Sequence, residues 1–136
     1  MEFTTTDATS RFVGLGTSNA GTTSGEIKFA LFLHGTTVEV RESGTYRTDV
    51  PVAVNDVLRI TVVGGVVKYT KNGTVFYTSA VAPTWPLLVD TTLIELNATV
   101  ANAMILGTLE SSAPVFSGIA PTAVTGTSAT IGWTTD

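Results

Sequence analysis

Between Asp56 and Thr78 the sequence reads DVLRITVVGGVVKYTKNGTVFYT: three alternating apolar segments separated by Gly64-Gly65 and Asn72-Gly73. Two-residue Gly-Gly and Asn-Gly links are the strongest short-range hairpin signals, because the primed turns that match strand twist need positive φ. This stretch predicts an antiparallel meander of three strands. The turn positions fix its register, and register fixes which side chains share a face. Val63 then falls opposite Val66, Thr61 opposite Lys68 and Ile60 opposite Tyr69. Beyond the second turn, Lys71 falls opposite Thr74, Tyr69 opposite Phe76 and Lys68 opposite Tyr77. One face collects Leu58, Ile60, Val62, Val67, Tyr69 and Phe76, which is a core. The other collects Arg59, Thr61, Val63, Lys68, Thr70, Val75 and Tyr77, which is half-polar. Tyr69 is expected inside and Tyr77 outside.

The remaining apolar segments are also short and bounded by Gly, Asn, Asp, Ser or Thr, the pattern of an antiparallel β protein. RFVGLGTS reads as a strand. EIKFALFLHG alternates, with Ile27, Phe29, Leu31 and Leu33 on one side and Lys28, Phe32 and His34 on the other. TTVEVRESG alternates through Val38 and Val40, which leaves Glu39 and Arg41 facing out. TYRTDVPVAVND is irregular, and Pro51 suits an edge or a crossing loop. PLLVDTTLIEL and ATVANAMILG supply two more strands, and no helix longer than a turn is convincing. Eight or more short strands at this spacing predict an all-β fold, an antiparallel β-sandwich or barrel.

Composition narrows the classes of function. Apolar residues are 43% and charged residues 13% of 136, so the chain is globular in type. Seven Lys and Arg against eleven Asp and Glu give a formal charge of −4, which argues against a nucleic-acid partner. No stretch approaches the ~18 apolar residues of a helical membrane span, so no membrane partner is expected. The absence of cysteine removes disulfides and thiolate metal sites. No signal peptide is visible, because MEFTTTDATS is polar from its second residue.

Two segments carry family likenesses. DVLRITVVGGVVKYTKNGTVFYTSAVAPTWPLLVD resembles a jelly-roll module of the concanavalin A-like lectin and glucanase type, a likeness that covers about residues 2–107. APVFSGIAPTAVTGTSATIGWTTD resembles the opening of a fibronectin type III domain over about residues 113–136, with Trp133 as a core residue. The likenesses imply a lectin-like sandwich over 1–110 and a truncated fibronectin-like segment or linker over 111–136. They also imply a secreted or cell-surface bacterial protein. In such jelly-roll modules further strands usually precede the segment matching EFTTTDATSRFVGLG, so the chain reads as clipped at both ends. The expected consequence is an open edge on which the tail docks, within one chain or by strand exchange in a homo-oligomer.

The lectin likeness implies a non-catalytic carbohydrate-binding module for a polysaccharide, with β-glucan as the expected polymer; the alternative is a structural or adhesive spacer or assembly domain. The expected mode of binding is an aromatic plate against the C–H face of a pyranose, with charged groups on its hydroxyls. If all these strands share one sheet, its outer face shows Phe32, Tyr77, Lys68, Arg59, Glu39 and Arg41 together. The competing reading makes Tyr77 a cross-strand packing residue under the Lys68 stem. Trp85, stiffened between prolines in APTWPLLVD, reads either as a second platform or as a plug for the end of the sandwich.

Catalysis is not expected. The single histidine, His34, excludes triads and paired imidazole shuttles. The Glu-x-Asp-x-x-Glu cluster of the glucanase relatives is absent, and alternation sends Glu39 and Glu42 to opposite faces, whereas glycosidases need two carboxyls flanking one bond. No cofactor is expected. Asn55-Asp56, Asp90 and Asn97 are on offer to calcium but form no dense acidic loop, and Asn55-Asp56 reads as turn chemistry. The NGT at Asn72 and NAT at Asn97 match the glycosylation sequon. Gly14 and Gly16 have no helix after them, so they read as sites of close strand packing and not as a nucleotide loop.

Overall fold

The computed structural model describes residues 1–107, 116–124 and 129–135. The chain divides into two compact units, Met1–Leu106 and Gly107–Asp136. In the first, ten strands run β1 (Glu2–Thr4), β2 (Arg11–Gly16), β3 (Phe29–His34), β4 (Thr37–Glu42), β5 (Thr45–Pro51), β6 (Val57–Val63), β7 (Val66–Lys71), β8 (Thr74–Thr78), β9 (Leu88–Leu93) and β10 (Ala101–Met104). They form two antiparallel five-stranded sheets, ordered β10-β1-β6-β7-β8 and β5-β4-β3-β2-β9. The sheets face each other across one core, so the fold is an all-β sandwich. In the second unit β11 (Phe116–Val124) and β12 (Ala129–Thr135) pair antiparallel with each other. The side chain of Trp133, expected to fill a core there, lies outside the described residues, as does the 110/111 boundary read from the sequence.

The turn chemistry governs the meander as expected. Gly64 and Gly65 take φ of +58° and +76°, and Asn72 and Gly73 take +51° and +81°. A third turn of the same kind, Ser43-Gly44 at +48° and +79°, joins β4 to β5. Asn72 is held further by its side chain, whose Oδ1 accepts from the Val57 N–H while Nδ2 donates to Asp56. The core draws Phe3, Leu58, Ile60, Val67 and Tyr69 from one sheet and Val13, Leu15, Phe29, Leu31, Leu33, Val38 and Val40 from the other. Ile27, expected among these, instead closes a small second cluster with Phe12 and Ala30. A 3-10 turn at Ser24–Glu26 interrupts the alternation just before it. Gly14 is the reason Ile27 fits, since a Cβ there would stand 2.7 Å from the Ile27 Cγ2.

Two strands depart from simple alternation. On β8, Tyr69 pairs with Tyr77 and Thr70 with Val75, so Phe76 is the extra residue of a bulge. The register read from the sequence holds through Thr70 opposite Val75 and fails at Tyr69, which was expected opposite Phe76. Tyr77 is thereby turned inward: it is half-buried against the core, its ring centroid 5.7 Å from that of Tyr69. The segment from Thr45, read as irregular, is β5, a bulged edge strand. Arg41 pairs with Tyr46 and Val40 with Thr48, so Arg47 is the extra residue. Its guanidinium reaches Glu42, which is buried at 3% exposure, with Nε 2.9 Å from Oε2. From the opposite sheet the Tyr69 hydroxyl donates to Glu42 Oε1 at 3.4 Å. Burial first, and then the Glu42 charge, push the Tyr69 phenol far above its ordinary value, so it stays protonated and donating.

A second buried charge sits at the start of β2. Arg11 is fully buried, and its Nη1 donates to Asp7 Oδ1 at 2.6 Å and to the Thr9 carbonyl at 2.8 Å. Hydrogen bonds, first from the Thr9 hydroxyl and then from the Thr9 N–H, Arg11 and Thr6, hold the Asp7 carboxyl well below the usual carboxylate range.

Two outcomes follow from these buried charges. Arg47→Met leaves Glu42 buried without its cation and is expected to cost about 1–3 kcal/mol in chemical denaturation. Adding Glu42→Leu together with Tyr69→Phe should recover most of that loss, because an apolar replacement of the whole buried polar set leaves no orphaned group. Asp7 gives a pH dependence. Its folded value lies below its unfolded one, so its stabilisation is present above about pH 4 and is lost as the pH falls further. Thermal melts between pH 7 and pH 2 should show this acid limb, shallower in Asp7→Asn.

Candidate functional site

The outer face of the β5-β4-β3-β2-β9 sheet gathers the polar and aromatic groups. Cross-strand pairing lines up Thr92, Phe12, Phe32, Glu39 and Asp49 in one row and Asp90, Gly14, Ala30, Arg41 and Tyr46 in the next, with His34 and Thr37 beyond. Directly opposed residues share a face, so these rows form one face across five strands, buried at Phe12 and Ala30 in the cluster with Ile27 and open at β4 and β5.

Three rings make a stack along it. Phe12 and Phe32 lie 4.2 Å apart at 10°, and Phe32 and His34 lie 4.8 Å apart at 28°. Phe32 is therefore sandwiched, and no flat face of it remains for a ligand. The sequence reading of Phe32 as a stacking plate is corrected on this point. The free plate of the region is Tyr46, 46% exposed and absent from the sequence reading, because its strand was not recognised. Arg41 lies between the two aromatic groups, its guanidinium carbon 5.9 Å from the Phe32 centroid and 5.6 Å from that of Tyr46.

Hydrogen bonds lock these groups. Glu39 Oε2 accepts from Arg41 Nε at 2.6 Å, and its Oε1 accepts from His34 Nε2 at 2.9 Å. Arg41 Nη1 also donates to the Gly44 carbonyl at 3.3 Å. The Tyr46 hydroxyl donates to Asp49, a bond that raises the phenol above its ordinary value. The side chains of Arg41 and His34 remain 30% and 40% exposed while so held. Ordered, partly exposed donors and acceptors beside an exposed ring are suited to a ligand that is flat on one side and carries hydroxyls at its rim.

The other expected residues are elsewhere. Lys68 and Arg59 project from the outer face of the opposite sheet, because β3 and β4 do not share a sheet with the meander. Arg59 is tied there to Glu2 of β1. Tyr77 belongs to neither outer face. The expected joint surface is therefore divided: Phe32, Glu39 and Arg41 are brought together, while Tyr77, Lys68 and Arg59 are not part of it. Trp85 stands in the loop between β8 and β9 and is 69% exposed, which excludes the plug reading. Asp56 is engaged by the Ala53 N–H, Asn72 and Lys71 in a turn, and Asp90 lies on the β9 surface away from it. Among the described residues no three His, Cys, Asp or Glu side chains converge on a point that would hold a metal ion.

Comparison with protein-family models, curated proteins and solved structures finds no match for this chain.

The two classes of aromatic residue should separate by stability. Phe32→Ala is expected to cost about 2–4 kcal/mol, like a core truncation, since both ring faces are covered. Tyr46→Ala should stay within about 0.5 kcal/mol of the parent. Urea denaturation of the two variants checks this.

Proposed function

We propose that this chain is a non-catalytic binding module for a neutral polysaccharide, read by the outer face of β3, β4 and β5. The observation that carries the reading is the exposed Tyr46 ring, set beside Arg41, Glu39, His34 and Asp49 in a fixed hydrogen-bond network. An exposed ring supplies a stacking surface for the C–H face of a pyranose. The rim groups supply donors and acceptors to hydroxyls without ordering cost, because they are already ordered. The Arg41 charge is balanced by Glu39, which favours a neutral sugar, such as a β-glucan, over an acidic one. The Trp85 ring offers a second stacking surface on the β8–β9 loop. The lectin-like resemblance of residues 2–107 supports the same reading and, with it, a secreted or cell-surface setting.

The test is retention in native affinity gels containing soluble neutral glucans, with Tyr46→Ala and Trp85→Ala measured beside the parent. Tyr46→Ala should weaken retention roughly 2- to 12-fold at unchanged melting temperature, in keeping with an aromatic contact worth about 0.5–1.5 kcal/mol. Parent chain that migrates identically with and without every glucan tested would reject the reading and leave the structural or adhesive module in its place.

A further inference from the structure

The two edges of the β5-β4-β3-β2-β9 sheet differ in their protection. β5, at one edge, carries Arg47, Asp49 and Pro51, and the Lys71 Nζ donates to the Pro51 carbonyl at 2.7 Å. Charges and proline are the usual means of keeping an edge from pairing with another chain. β9, at the other edge, reads LVDTTL with a single charge, and among the described residues it pairs only with β2.

Its inner side is also uncovered. Leu93 pairs with Arg11, Thr91 with Val13 and Val89 with Leu15, all three partners buried and the last two in the core. Val89, Thr91 and Leu93 therefore point toward the interior, yet Val89 is 40% and Leu93 52% exposed. Residues on the core side of a sheet are ordinarily covered, so among the described residues β9 has both a free edge and apolar side chains without a covering neighbour. Ile94, Met104 and Ile105 add 54%, 48% and 53% exposed apolar side chains from the segment after β9 and the end of β10.

We propose that β9 pairs antiparallel with β9 of a second copy of this chain, about a two-fold axis through Thr91, making one continuous sheet of ten strands. The strand is complementary to itself in that register. On the inner side Val89 meets Leu93 of the other copy in both directions, so each exposed apolar side chain gains an apolar neighbour. On the outer side Asp90 meets Thr92, so the strand's one charge never opposes its own copy, an arrangement that like charges would penalise. The backbone groups of both free edges are satisfied at once, and an isologous contact closes at two chains instead of propagating. The tyrosine-bearing faces of both copies would then lie on one sheet. The pairing itself does not depend on what those faces bind.

The test is charge exchange at the axis, using the full chain. Multi-angle light scattering should give twice the 14.2 kDa chain mass for the parent. Thr91→Lys and Thr91→Glu each place like charges across the axis at an exposed position, and each alone should run as a folded monomer. Mixed in equal amounts, the two should restore the doubled mass. A parent that is monomeric at about 100 μM, well above the dissociation constant of a micromolar contact, overturns the proposal. So does a dimer that survives in both single variants, which would place the contact on the tail or on another surface.

Discussion

Tyr69 spans the sandwich. Its ring fills the core from β7, and its hydroxyl has to find a partner there, because a buried hydroxyl without one is costly. The partner is Glu42 on the opposite sheet, itself nearly inaccessible. A buried carboxylate next needs a cation, and Arg47 provides it from an edge strand. One aromatic side chain thus dictates a chain of three polar groups joining both sheets. The exact placement of β5, and with it of Tyr46 and Asp49, depends on that chain of contacts being satisfied.

The meander was legible because it is written in local chemistry: Gly-Gly and Asn-Gly turns set the register, and the faces of β6 and β7 followed to the residue. Tyr69 sits where that reading placed it. The reading failed beyond Thr70, where the Phe76 bulge shifts the register by one and turns Tyr77 inward. The same device hid β5, where Arg47 interrupts the alternation that would have marked Tyr46 as outward-facing. Alternation has a period of two, so a single inserted residue inverts it. Edge strands tolerate such insertions because only one side of their hydrogen bonding is at stake. β1 was missed for another reason: three residues, two of them polar, carry no pattern to read.

The candidate site was half visible. Phe32, Glu39 and Arg41 lie on strands whose alternation is clean, and their common face could be drawn from the sequence. The division of strands between two sheets could not, since it rests on non-local pairing. That division separates Lys68 and Arg59 from the other three. Ring orientation is likewise a tertiary property: Phe32 looks like a platform in the sequence, and only the positions of Phe12 and His34 on either side reveal that it is a filling.

The β5 bulge ties the length of a surface strand to the chemistry of the interior. Without Arg47 the strand would be one residue shorter, Tyr46 would still stand opposite Arg41, and the outward face would be unchanged. The glutamate at position 42 would then have no counterion. A shorter β5 is compatible with valine there, as at positions 38 and 40 of β4, once position 69 also carries no hydroxyl, but not with the acid. An insertion at the rim and an ionisable side chain in the centre form a single heritable unit, so change at either position constrains which changes the other can accept.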